Sequence, residues 1–94
     1  MKQEIYIKGL LFTLMYGPCP EQYNVYHGHR QVGYVRLRHS RLRVDYPTCA
    51  GETVFQCPYG NSDTGMFLND EDRMEYLEKI ATILKGKIKD DKRF

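Results

Sequence analysis

Tyr34–Asp45 reads Tyr-Val-Arg-Leu-Arg-His-Ser-Arg-Leu-Arg-Val-Asp. Apolar and charged residues alternate with period two on both sides of His39-Ser40, the mark of two half-buried strands rather than a helix. A short turn at His39-Ser40 places Val35 opposite Val44, Leu37 opposite Leu42, Arg36 opposite Arg43 and Arg38 opposite Arg41. Side chains alternate across a strand, so Val35, Leu37, Leu42 and Val44 share a core face and the four guanidiniums share the other. Tyr34 and Asp45 extend the charged face by one pair. The turn dipeptide has neither Gly nor Asn, so its type is left open. Like charges directly opposite each other cost up to about 1 kcal/mol per pair. A face serving solubility alone would more cheaply mix in acids.

Working outward, Gln22–Tyr26 and Gln31–Arg38 flank His27-Gly28-His29-Arg30, where Gly28 can take positive φ. A tight turn there pairs Val25 with Val32 and Tyr23 with Tyr34, which would place all four on the arginine face. Either a bulge at Gly33 switches sides, or Tyr23, Val25, Val32 and Tyr34 form an aromatic patch beside the arginines. Upstream, Glu4–Tyr16 alternates as one or two strands, with Gly9 as turn or bulge, before Gly17-Pro18-Cys19-Pro20 breaks the run. Downstream, Arg41–Tyr46 is followed by a Pro47–Gly51 loop, a Glu52–Gln56 strand and a Cys57–Gly65 loop.

The end of the chain reads as a helix. Asn69 is a suitable N-cap and Asp70, Glu71 and Asp72 suit the positive end of the helix dipole. Met74, Leu77, Ala81 and Leu84 form one apolar stripe, widened by Ile80 and Ile83. Gly86 is a reasonable stop. Strands first and one helix last predict an α+β fold: an antiparallel β-meander of four to six strands with one C-terminal α-helix packed on one face. Residues 1–86 are expected to form the single α+β domain and residues 87–94 a basic, frayed tail.

A chain of 94 residues allows one such domain. Its longest apolar run, Leu10–Phe12, is far too short to span a membrane. Cys19, Cys49 and Cys57 cannot all pair within the chain, which argues against a disulfide scaffold. No signal-peptide pattern is evident, so the expectation is a reduced, cytoplasmic protein. Charge is unevenly spread. His29–Val44 carries five arginines and no acid, whereas Asp70–Glu78 carries five acids and one arginine. Such segregation concerns partners rather than fold.

Three function classes can be weighed from the residues. The first is an anion-facing surface made by Arg36, Arg38, Arg41 and Arg43 with Tyr34, since arginine forks hold phosphate or carboxylate through paired hydrogen bonds. Its competitor is a solvated face that happens to be arginine-rich. The second is a structural zinc site. His27 and His29 with Cys49 and Cys57 would supply a Cys2His2 set, although a full Glu52–Gln56 strand would carry Cys57 roughly 20 Å from the others. Cys57 would then bind only if the loops fold inward, and small thiols and turn histidines need no metal. The third is an enzyme. No nucleophile elbow, P-loop or dinucleotide-binding glycine pattern is present, and a non-enzymatic protein is expected.

Pro20–Tyr26 (PEQYNVY) and Gln31–Arg38 (QVGYVRLR), together with the acidic-start helix over Asn69–Leu84, resemble a pattern in small proteins of bacterial phages and mobile elements. The resemblance covers about the middle third of the chain plus that helix and carries no catalytic motif. By size and type it implies an inhibitor of a host factor in the bacterial cytoplasm. Anti-CRISPR proteins, which block an RNA-guided nuclease, are the sharpest version. Many of those are acidic mimics of DNA. The basic face here would instead grip an acidic host-protein surface or the guide and target nucleic acid, unless the acidic helix start is used. The alternative expectation is a small nucleic-acid-binding protein using the same arginines.

Overall fold

The structure is a computed structural model and describes residues 4–15, 20–61 and 63–91. Six strands form one antiparallel sheet in chain order: β1 (Glu4–Ile7), β2 (Leu10–Leu14), β3 (Glu21–His27), β4 (Arg30–Arg38), β5 (Arg41–Tyr46) and β6 (Glu52–Pro58). The helix α1 (Asp70–Asp90) then crosses one face. This is the α+β meander expected from the alternation, with all six strands formed.

The β4–β5 register is the expected one, from Tyr34 opposite Asp45 to Arg38 opposite Arg41. His39 and Ser40 both take positive φ, 52° and 60°, the pattern of a type I′ turn built without glycine. The surrounding chain holds this costly conformation. Ser40 N–H donates to the Thr64 carbonyl at 2.8 Å, and Tyr59 N–H to the Ser40 carbonyl at 2.8 Å. The β1–β2 turn at Lys8-Gly9 and the β3–β4 turn at Gly28 also use positive φ.

Between β3 and β4 the register shifts. Val25 opposes Gly33 and Tyr26 opposes Gln31, which leaves Val32 as the extra residue of a bulge. The bulge turns Val32 inward, so Tyr23, Val25 and Val32 all lie in the core at 1% exposure or less. Of the two arrangements open from sequence, the aromatic patch beside the arginines is therefore not formed. Gly33 sits where the helix comes closest: a Cβ there would lie 2.7 Å from Leu84 Cδ1.

The core joins Leu10, Phe12, Val35, Leu37, Leu42 and Val44 of the sheet to Leu77, Ile80, Ala81 and Leu84 of the helix. Met74 departs from the expected stripe and is exposed. Asn69 caps the helix by accepting from Asp72 N–H at 2.7 Å. The helix does not stop at Gly86 but continues to Asp90. Gly86 faces open space, while Ile88 packs against the core. Lys87 Nζ meets Glu52 at 3.1 Å, and Tyr46 donates to Asp91 at 2.6 Å. These contacts outweigh the propensity cost of one helical glycine, about 1 kcal/mol. The first part of the expected frayed tail is thus helical; residues 92–94 lie outside the described residues.

Candidate anion-binding face

The helix covers one face of the sheet and leaves the other open. Strand pairing sorts that open face into rows. Arg38 and Arg41 form one, beside Pro58. Gln22, Arg36, Arg43 and Gln56 form the next. Glu4, Thr13, Asn24, Tyr34 and Asp45 form a third, with Glu4 at its far end from the arginines. Tyr6, Leu11, Tyr26 and Gln31 form the last, at the far end. Residues two apart along a strand lie about 6.8 Å from each other, and directly opposed residues about 5 Å. The four arginines thus make a compact grid at the β4–β5 turn.

Their carboxylate supply is thin. Arg43 Nε lies 3.4 Å from Asp45 Oδ1, an ion pair without an aligned hydrogen bond. Asp45 is almost fully buried and also accepts from Thr53 Oγ1 at 2.9 Å. Among the described residues, no carboxylate pairs with Arg36, Arg38 or Arg41. Arg36, Arg38, His39, Arg41, Arg43 and Gln56 line a shallow depression of about 410 Å³. Such a site offers guanidinium forks, an imidazole and an amide.

Tyr34, expected as a contact residue, is only 6% exposed. Its hydroxyl donates to Gln22 Oε1. Burial raises its pKa, against the lowering pull of Arg36. It therefore braces the floor of the face and offers no open ring for stacking. Beside it, Gln31 Nε2 donates to Asn24 Oδ1 at 3.0 Å and to the Gly33 carbonyl at 3.2 Å. Gln22 and Asn24 each engage a neighbour through the carbonyl oxygen, which keeps their N–H2 groups for other partners.

The proposed zinc ligands are not brought together. Cys57 is held opposite Leu42, near the β4–β5 turn. His27 and His29 lie at the β3–β4 turn, at the other end of the sheet, and Cys49 is exposed in the β5–β6 loop. No three His, Cys, Asp or Glu side chains cluster in metal-binding fashion among the described residues. Burial also raises the Cys57 thiol pKa, away from the thiolate that zinc needs. Cys19 lies outside the described residues.

One polar constellation was not anticipated. Glu21, 3% exposed, accepts from Arg73 Nε at 2.7 Å, from Phe67 N–H at 3.0 Å and from the Tyr23 hydroxyl. It ties β3, the loop after β6 and the first turn of α1 into one unit on the core side. The only sequence trace was Arg73 as the single base in Asp70–Glu78. This network ties the β3 start, paired with Leu37 near the β4–β5 turn, to the helix, and it lies on the face away from the arginine grid.

These features define a small α+β protein with one open, cationic sheet face. No family model, characterised protein or solved structure matches the chain. No helix of the described residues is long and apolar enough to cross a membrane.

Proposed function

We propose that this is a non-enzymatic binding protein whose open sheet face takes the phosphate backbone of a nucleic acid. The observation that carries the reading is the register of Arg36 with Arg43 and Arg38 with Arg41, four guanidiniums of which, among the described residues, one is paired with a carboxylate, Asp45. Stacking like charges in register is unfavourable without an anion to relieve it. Arginine forks suit phosphate, and a nucleic-acid interface is typically polar and strongly positive.

The competing partner is an acidic host-protein surface, as the likeness to phage proteins implies. A protein interface of that kind is normally centred on well-packed aromatic and apolar anchors. Here Tyr23, Val25 and Val32 lie in the core, Tyr34 is recessed, and the exposed ring of Tyr6 stands at the far end of the face, away from the arginines. The arginines are bordered by amides instead, at Gln22 and Gln56. That composition favours nucleic acid.

The test is affinity capture from a bacterial lysate with and without nuclease, paired with a salt titration of binding to a labelled oligonucleotide. Three to four phosphate contacts to a single strand give a log–log salt slope of about −2 to −3. Arg38→Gln with Arg41→Gln should flatten that slope by roughly 1.4. A protein partner retained after nuclease treatment, with no salt-dependent oligonucleotide binding, would overturn the reading in favour of the host-protein inhibitor.

A further inference from the structure

Building on the nucleic-acid reading, we infer that the face is made for a single strand, with phosphates on the arginine grid and bases laid across β3 to β1. Three features of the open face carry this.

The first is spacing. Arg36 and Arg38 on β4, like Arg43 and Arg41 on β5, stand two residues apart, about 6.8 Å along the strand. That interval resembles the separation of successive phosphates in an extended nucleic-acid strand. The second is what lies beyond the grid. Next to the arginines come the amides of Gln22, Asn24 and Gln31, fixed in part by Tyr34 and by each other. Amides of this kind read the hydrogen-bonding edges of bases, which are open for reading in an unpaired strand. Beyond them, Tyr6 and Tyr26 flank Leu11 in one cross-strand row. Tyr6 is 74% exposed, so its ring is open to a stacking partner. Bases stack on such rings without regard to sequence.

The third feature is the shortness of the two central hairpin connections. The β3–β4 and β4–β5 connections are two residues each, so neither hairpin has a long loop to enter a groove. The helix lies on the opposite face and begins with Asp70, Glu71 and Asp72, which phosphate would repel. A duplex resting on this plate would offer only the phosphates of one side. It would leave the amide row and Tyr6 unused.

The chain has eight tyrosines and no tryptophan, so its intrinsic fluorescence reports on tyrosine alone. The full-length protein is titrated with a short mixed-sequence single strand, in ribose and deoxyribose forms, and with the matching duplexes at equal phosphate concentration. Single strands should bind about tenfold tighter than duplexes and quench the tyrosine signal. Tyr6→Ala removes an exposed ring from the surface, so the variant should melt like the parent. It should lose roughly five- to tenfold in single-strand affinity while keeping the salt slope and the duplex affinity. Equal affinity for duplex and single strand, with Tyr6→Ala silent, would overturn the single-strand inference and leave the phosphate-binding face standing. Absence of salt-dependent binding to every probe would overturn both. A preference between ribose and deoxyribose strands identifies the natural ligand within the proposed class.

Discussion

Arg36 and Arg43 face each other across β4 and β5, yet removing their charges should have opposite effects on stability. The two guanidiniums stand on directly opposed residues, about 5 Å apart at the backbone. Coulomb's law in a water-like medium gives a repulsion of about 0.8 kcal/mol at that range. Arg36→Gln removes the repulsion and strands no carboxylate, so stability should rise by about 0.5 kcal/mol. Arg43→Gln removes the same repulsion but leaves Asp45, whose side chain is 2% exposed, with Thr53 Oγ1 as its remaining described partner. An under-satisfied buried carboxylate should cost about 2 kcal/mol net. For a domain of this size, 1 kcal/mol corresponds to about 4–8 °C in Tm. The expected shifts are therefore about +2 to +4 °C for Arg36→Gln and −8 to −16 °C for Arg43→Gln. Urea denaturation followed by circular dichroism supplies the free energies. In 1 M salt the Arg36→Gln gain should shrink, because exposed charges are screened, while the Arg43→Gln loss should persist. Two shifts of the same sign and size would refute the asymmetric pairing of the grid.

Other substitutions probe the parts that hold the face in place. Gly33→Ala forces a methyl against Leu84 and should cost about 1–3 kcal/mol in denaturant unfolding. Arg73→Met leaves the Glu21 carboxylate buried without its cation and should cost about 3–5 kcal/mol; adding Glu21→Gln should recover much of that loss in a double-mutant cycle. Burial, with the Glu21 carboxylate adding to it, pushes the Tyr23 phenol well above its ordinary value. The folded chain therefore keeps that proton after the unfolded chain has lost it. Stability should be intact below about pH 10 and fall as the pH climbs beyond it, and Tyr23→Phe should make that alkaline fall shallower in chemical denaturation.

The hairpin at the centre of the site was legible because its determinants are local. Period-two alternation on both sides of a two-residue turn leaves one register that buries Val35, Leu37, Leu42 and Val44 together. The bulge beside Gly33 was legible only as one of two alternatives, because the helix that packs over Gly33, with Leu84 Cδ1 2.7 Å from where a Cβ would stand, lies far along the chain. The Glu21–Arg73 pair joins residues 52 apart and left no periodic trace. Gly86 reads as a helix stop by local propensity, and only the contacts of Lys87 and Ile88 with the sheet carry the helix past it. The cysteine and histidine pairs suggested a metal set by residue type, and the full β6 strand carries Cys57 to the opposite end of the sheet from the His27–His29 turn, the separation expected if that strand formed. Tyr34 was placed on the correct face; it is recessed there, with its hydroxyl donating to Gln22 of the neighbouring strand.

The most direct measurement is a heteronuclear NMR titration of the labelled protein with a short single-stranded oligonucleotide, following backbone amides and arginine Nε–H groups together. If the arginine grid holds the phosphates, perturbations will concentrate on Arg36, Arg38, Arg41 and Arg43, extend over Gln22, Asn24 and Gln31, and leave Leu77–Leu84 of the helix unmoved. Perturbations centred on the helix or scattered over both faces, with the arginine Nε–H signals unchanged at saturating strand, would contradict it.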